Sequence, residues 1–561
     1  MMRKYMFTVI CLYATLAMGQ GMDPFHYSVV KKMAPQKAAV VSAHPLASEA
    51  GISILQRGGN AVDAAIATQL ALAVVYPGAG NIGGGGFMVA HLINGKNLSI
   101  DYREKAPGKA GRDMYLDANG KVIPGKSILG HLASGVPGTV AGLFTSHRYA
   151  KLPFEELIAP AIILSRGFVI TEKEAKSLNN MKNTFLQHNT KTPVFVRDQP
   201  WKAGDTLVQP DLEKTLLRIQ KEGQKGFYEG ETAQLIVEEM QRGGGIISLE
   251  DLKNYKAEER NPMVFDYKGY TVVTMPLPSS GGILLPQMLT MTAKSDLGRL
   301  GFHSAAAVQW MVEAERRSFA DRAEFLGDPD FVKVPVRTLI SHTYLEERMK
   351  DFVPGKAGSS DVTKPGNIHE SEETTHLSVL DQWGNSVSVT TTLNGGYGSA
   401  TVVGGAGFLM NNEMDDFSIK PGEPNMYGAL GTEANAIQPG KRMLSSMAPS
   451  IVLKKNKTFM VVGTPGGTTI PTSLYQSIIN VIDFGMNADD AVNKPKFHHQ
   501  WKPDRIDVEQ DFPQQTIEDL KKMGYQIFNR GAIGRTEMIL IKNKKIEAIA
   551  DKRGDDAVAG F

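Results

Sequence analysis

Glu370-Ser371-Glu372-Glu373-Thr374-Thr375-His376-Leu377-Ser378-Val379-Leu380 is the stretch on which the reading of this chain turns. Thr375–Leu380 alternates in the manner of a half-buried strand, and Ser386–Thr392 answers it across a turn at Trp383-Gly384-Asn385. Ahead of this hairpin, Val353–Glu373 is mostly Gly, Ser, Pro, Lys and Glu without any period. So long a structureless segment inside a compact protein is uncommon and calls for a reason. One reason is scission. Cutting between Glu373 and Thr374 would place a free α-amine beside a threonine hydroxyl, and an unperturbed α-amine has a pKa of about 7.7–8.0. One residue would then supply both nucleophile and general base, the logic of N-terminal threonine catalysis. The residues leave a second reading open: Thr374 and Thr375 as ordinary β-formers following a flexible linker.

Working outward, Pro45–Gln56 and Ala61–Tyr76 read as helices, the second capped by Asn60. Strands Phe87–Ile93 and Leu98–Arg103 meet at Asn94-Gly95, a strong hairpin signal. The middle third is mainly helical, with Phe154–Arg166, Gly230–Arg242 and Ser304–Glu324 at helical apolar spacing and a capping box at Ser248 and Asp251. Two further hairpins join Met263–Tyr267 to Tyr270–Met275 and Ser450–Lys454 to Thr458–Gly463, and Pro471–Asp483 is an amphipathic helix. Paired strands between runs of helices suggest stacked layers with antiparallel sheets inside.

The chain has 561 residues, with Lys+Arg 61 against Asp+Glu 59. That balance, without a long basic run, argues against nucleic acid or anionic membrane as the main partner. Arg3 and Lys4 precede the short apolar stretch Met6–Met18, and Ala17-Met18-Gly19 fits a cleavage site ahead of Gln20. Residues 1–19 therefore read as a signal peptide, and the product as periplasmic or secreted. The single cysteine, Cys11, would leave with it, so neither a disulfide, a thiol nucleophile nor a Cys-ligated metal is expected. No later stretch is apolar enough for a membrane span. Gly83–Gly86 lacks a following Lys-Ser/Thr and leads into a strand, so it is not a phosphate loop, and His498-His499 lacks the spaced partners of a metal site. No cofactor is expected.

Thr374-Thr375-His376-x-Ser378-Val379, Thr390–Asn394, Asn411-Asn412-x-Met414-Asp415-Asp416-Phe417, Leu444-Ser445-Ser446-Met447 and Gly463–Gly467 together resemble the γ-glutamyltranspeptidases, self-cleaving members of the N-terminal nucleophile hydrolases. Upstream, Gly58–Ala64, Gly78–Gly86, Asp101–Pro107 and Ser134–Gly138 continue the resemblance over nearly the whole chain. It implies an α+β, four-layer αββα sandwich built jointly by a large subunit, 20–373, and a small subunit, 374–561. It implies γ-glutamyl transfer from glutathione and other γ-glutamyl compounds, through a Thr374 ester, to amino acids, dipeptides or water. It further implies that Gly466 and Gly467 form the oxyanion hole and that Thr392 orients Thr374. Arg103, Ser445 and Ser446 would take the donor's α-carboxylate, and Asp416, Glu413 and Asn394 its ammonium. Pro421–Glu433, with Tyr427, matches the lid loop of lid-bearing bacterial members. A related acylase acting on glutaryl side chains, and an uncleaved exported binding protein, are the alternatives.

Overall fold

The computed structural model describes residues 22–363, 374–423, 426 and 431–561. The signal-peptide reading, Cys11, Glu373 and Tyr427 lie outside the described residues.

The hairpin Thr375–Leu380/Ser386–Thr392 forms with the boundaries its alternation predicts, Thr375 facing Thr391 and Leu380 facing Ser386. It occupies the middle of a seven-stranded sheet. Ala39–Ser42 lies on one flank with Ala557–Gly560 beyond it; Gly85–His91, Asn97–Asp101 and Glu258–Arg260 follow on the other. A second seven-stranded sheet is built from Lys457–Gly463, Ser450–Lys454 and the hairpin Met263–Tyr267/Tyr270–Thr274. Its other edge holds Glu537–Lys542, Lys545–Ile549 and Lys32–Met33.

Strand alternation sorts the side chains into layers. Val40, Leu377 and Val379 join the core beneath the helices Pro45–Gln56, Ala61–Val75 and Phe154–Ser165. Ala39, Val41, Phe87 and Val89 point the other way, into a core shared with the second sheet and with helices Gly281–Thr292, Ala305–Phe325 and Thr469–Ile482. The order is helices, sheet, sheet, helices.

The inter-sheet space is partly polar, and its groups are bonded across it. Ser388 Oγ donates to Val462 O at 3.2 Å and accepts from Ser450 N at 3.0 Å, and Ser378 Oγ donates to Glu537 O at 3.1 Å. Such satisfied pairs hold the sheets in register, since a buried polar atom left without a partner costs about 1–3 kcal/mol. His376 lies in the same layer, with Nδ1 2.8 Å from Thr390 Oγ1 and Nε2 3.1 Å from Ser378 Oγ. Burial lowers its pKa to about 3, so it is neutral at ordinary pH.

The helix caps read from the sequence are present: Asn60 with Asp63, and Ser248 with Asp251, each form a reciprocal capping box. Ser304 accepts from Ala307 N and caps the helix Ala305–Phe325. Among the described residues no helix is long and apolar enough to cross a membrane.

Candidate active site

Thr374 stands at the first position of the central hairpin. Because Thr375 pairs with Thr391 in an antiparallel ladder, Thr374 stands opposite Thr392. Thr392 Oγ1 also accepts from Asn394 N at 2.8 Å, which bends the chain out of the strand; Asn394 has a positive φ of 75°. Its side-chain amide donates to Asn412 O at 3.0 Å.

Behind the hairpin, Gly84 comes so close that a Cβ there would lie 2.1 Å from Thr392 O. The glycine run Gly83–Gly86 thus serves a close backbone approach to the strand that carries Thr392.

Gly466 and Gly467 connect the strand Lys457–Gly463 to the helix Thr469–Ile482, with φ of 132° and 53°. At Gly466 a Cβ would lie 2.4 Å from Thr469 Oγ1. The two carbonyls accept from the first turn of the helix: Gly466 O from Thr469 N at 2.9 Å and Gly467 O from Ile470 N at 3.2 Å. The helix N-terminus adds a partial positive charge beside Thr374.

Arg103 follows the strand Asn97–Asp101 and is 1% exposed. Its Nη1 lies 2.5 Å from Glu413 Oε2 and 3.6 Å from Glu104 Oε2, and its Nη2 donates to Asp416 Oδ2. Nε and Nη2 also donate to the Met443 and Leu444 carbonyls, at 3.3 and 3.2 Å. One guanidinium therefore faces three carboxylates. Burial opposes its charge, but Glu413, Asp416 and Glu104 more than offset that and raise its pKa. Burial raises the acids as well, against the pull of Arg103: Glu104 to about 8, Glu413 well above the carboxylate range, and Asp416 in the same direction. Four ionisable groups this close titrate together, and the cluster retains protons at neutral pH.

One narrow pocket, of about 20 Å³, is lined by Arg103, Thr374, Thr392, Asn394, Asp416, Ser445, Ser446 and Gly467. These are eight of the residues singled out from the sequence, and they come from both sides of the Glu373/Thr374 bond. Glu413 does not line it; it stands behind Arg103 with no exposure. Gly466 lies one residue behind the lining Gly467. Ser445 is fixed by its backbone, which accepts from Ser280 N at 2.7 Å and donates to Pro278 O at 2.9 Å. Met426 N donates to Asp415 Oδ2 at 2.6 Å and Met426 Sδ lies 3.9 Å from Asn394 Nδ2, which places Met426 beside the pocket.

Two charged residues at the site were missed from the sequence, besides the lining Thr468 and Ile470. Arg322, on the helix Ala305–Phe325, lines the pocket and donates to Ser446 Oγ and Ser280 Oγ, both at 3.3 Å. Its charge also lowers the pKa of Asp416. Nothing in a long amphipathic helix distinguishes it. Glu104 was passed over although it adjoins Arg103; a carboxylate neighbouring a candidate anion-binding arginine was the available signal. Asp415, beside Asp416, points elsewhere and accepts from Ser127 Oγ at 2.5 Å. His498 lies between Thr472 Oγ1, at 2.8 Å, and Gln500 Oε1, at 2.5 Å.

The chain is similar to known proteins over most of its length. The family model described as gamma-glutamyltranspeptidase matches residues 47–561. The glutathione hydrolase proenzyme of Escherichia coli K12 is 45% identical over 534 residues, 94% of this chain and 92% of the relative. Among solved structures, the gamma-glutamyltranspeptidase of Helicobacter pylori aligns at a TM-score of 0.57 and 42% identity, over 62% of this chain and 99% of its own. The cephalosporin acylase of Bacillus halodurans aligns at 0.83 and 26% identity, over 96% and 99%.

Proposed function

The chain belongs to the gamma-glutamyltranspeptidase family, and from that premise we propose that it is a self-processing γ-glutamyltransferase and glutathione hydrolase whose nucleophile is Thr374. The observation that carries the reading is the convergence on one pocket of a threonine hydroxyl, an arginine, a carboxylate and a glycine turn at a helix N-terminus.

Maturation comes first. Thr374 Oγ attacks the Glu373 carbonyl carbon, the C–N bond breaks, and the acyl group passes from nitrogen to oxygen as an ester. Water opens the ester, leaving a large chain of residues 20–373 and a small chain of residues 374–561 with a free α-amine. The relative in E. coli is named a proenzyme, which supports this order.

Turnover repeats the chemistry on a substrate. The Thr374 amine takes the hydroxyl proton as Oγ attacks the γ-amide carbon, and charge develops on the carbonyl oxygen. Backbone N–H groups at Gly466 and Gly467 stabilise it; donors of this kind are worth about 2.7–4 kcal/mol each. The ammonium then protonates the departing amine, and the γ-glutamyl group remains on Oγ. Water completes hydrolysis; an amino acid or dipeptide completes transfer. Thr392 holds the hydroxyl on its line of attack.

Recognition of the glutamyl end follows from the ion pairs. Asp416 occupies the guanidinium of Arg103 before substrate arrives. A zwitterion can enter that pair with no net change of charge, its carboxylate taking Arg103, Ser445 and Ser446 and its ammonium taking Asp416 and Asn394. Glu413 and Glu104, behind Arg103, keep the guanidinium aimed into the pocket. A glutaryl chain has no ammonium and would leave Asp416 facing a carboxylate, which disfavours the acylase reading; the 45% identity to a glutathione hydrolase against 36% to an acylase proenzyme of a Pseudomonas species supports the same choice. A signal peptide at 1–19 would deliver the enzyme outside the cytoplasm.

The test is incubation of the purified protein with glutathione, with and without a dipeptide. Free glutamate and a γ-glutamyl dipeptide are expected, both absent with Thr374→Ala. Glutamate release by that variant would remove Thr374 from the mechanism.

A further inference from the structure

A second cavity, sharing no lining residue with the Thr374 pocket, opens between the helix Glu172–His188, the ribbon Phe168–Val169/Thr206–Leu207 and the segment carrying Arg535. Its volume is about 170 Å³, the scale at which an apolar protein cavity admits a benzene-sized body. Phe168, Ile170, Leu178 and Leu207 supply an apolar floor, and the rings of Tyr76 and Tyr397 close the sides.

Most polar groups on this wall are committed; the buried lining atoms left without a hydrogen-bond partner are Glu174 Oε1 and Arg535 Nη2. Arg553 bonds Glu509 through Nε and Nη2, at 2.6 and 2.5 Å, and Asp551 through Nη1 at 3.0 Å. Lys173 Nζ lies 3.3 Å from Asp555 Oδ1. Glu174 accepts from Thr171 N at 2.7 Å; its other oxygen lies 3.3 Å from His44 Nε2 but makes no hydrogen bond. Arg535 gives Nε to Asp556 at 3.0 Å and Nη1 to Tyr76 Oη at 2.8 Å, but its Nη2 is buried and has no hydrogen-bond partner. A buried guanidinium nitrogen without an acceptor is costly, and such groups are normally satisfied. A carboxylate is the acceptor a guanidinium edge fits best.

We propose that this cavity binds a small organic acid: a carboxylate on Arg535 Nη2 carrying a phenyl-sized apolar body on the Phe168, Ile170, Leu178 and Leu207 floor. The test uses the full-length, matured protein and 3-phenylpropionate as the probe, titrated calorimetrically in saturating L-glutamate so that the Thr374 pocket is filled. Expected is saturable one-site binding with a Kd of about 1 mM or tighter, and at least ~tenfold weaker binding of the neutral 3-phenylpropionamide. Arg535→Gln would also remove the side-chain bonds to Asp556 and Tyr76 and leave Asp556 buried without its cation, so a loss of binding in that variant would not separate the site from the fold. Ser177→Trp is therefore the second variant: it lies on the partly exposed side of the helix and would fill the cavity from its mouth. It should abolish binding and leave glutathione turnover unchanged. No saturable binding up to about 10 mM, displacement by glutamate, equal binding of the amide, or unchanged binding to Ser177→Trp would each overturn the proposal.

Discussion

Replacing Arg103 with methionine removes a cation from a site holding three acids while nearly preserving volume. Glu104 and Glu413 have no exposure and Asp416 only 15% at its side chain. Breaking a buried ion pair by deleting one partner costs about 3–5 kcal/mol, because the remaining charge is stranded. The acids can escape by taking up protons, at about 1.36 kcal/mol per pH unit for each group forced to do so. Their folded pKa values already lie above the unfolded ones, and loss of Arg103 raises them further. The folded variant thus binds more protons than the unfolded chain, and its stability falls as pH rises. Urea unfolding of matured Arg103→Met should therefore show the full loss near pH 8 and a smaller one near pH 5. In kinetics, the substrate carboxylate forfeits charge-assisted bonds worth about 1.5–3 kcal/mol, so KM for glutathione should rise by about 10–150-fold, with kcat changed less. Arg103→Lys separates the two effects. A point charge restores most of the stability but not the fork, so KM should stay high. An unchanged KM in Arg103→Met, or a stability loss equal at both pH values, would refute the reasoning.

Other expectations are narrower. Glu104, with its pKa pushed up to about 8, makes the wild type lose stability as pH rises from about 4.5 to 8; Glu104→Gln should flatten that slope in a series of melts, and an unaltered slope would show that the proton resides elsewhere. Gly463→Ala places a Cβ 2.2 Å from the His376 ring between the sheets, so overpacking should cost about 1–3 kcal/mol by denaturant titration; wild-type stability would mean the ring can move aside. Thr392→Ala should lower kcat by about tenfold, as expected for one lost hydrogen bond, with KM retained and Thr392→Ser restoring the rate; an equal loss with serine would make the methyl group, not the hydroxyl, the working part.

How much of this was legible depended on whether the signal was local. Pro45–Gln56 and the hairpin Thr375–Leu380/Ser386–Thr392 appear with their expected bounds, because caps, alternation and a Trp-Gly-Asn turn all act within a few residues. The hairpin register alone puts Thr392 across from Thr374, so that pairing follows from the ladder without any appeal to relatives. Sheet order was not legible: Ala39–Ser42 lies between Thr375–Leu380 and Ala557–Gly560, a neighbourhood set by packing over hundreds of residues. The same holds for the pocket. Arg103, Asp416 and Ser445 are far apart in the chain, and only resemblance grouped them. Arg322 shows the limit, since a helix pattern explains its position equally well with or without a site. Glu413 shows another: its residue type suggests an ammonium partner, whereas its burial against Arg103 makes it a support for the arginine.

The central claim is that Thr374 carries the γ-glutamyl group. Matured protein should be mixed with glutathione, quenched in acid within one turnover, and both chains weighed and sequenced by mass spectrometry. The account predicts that the chain beginning at Thr374 gains the mass of one glutamyl group, attached to its first residue. An unmodified small chain, or a glutamyl group on any other residue, would contradict it.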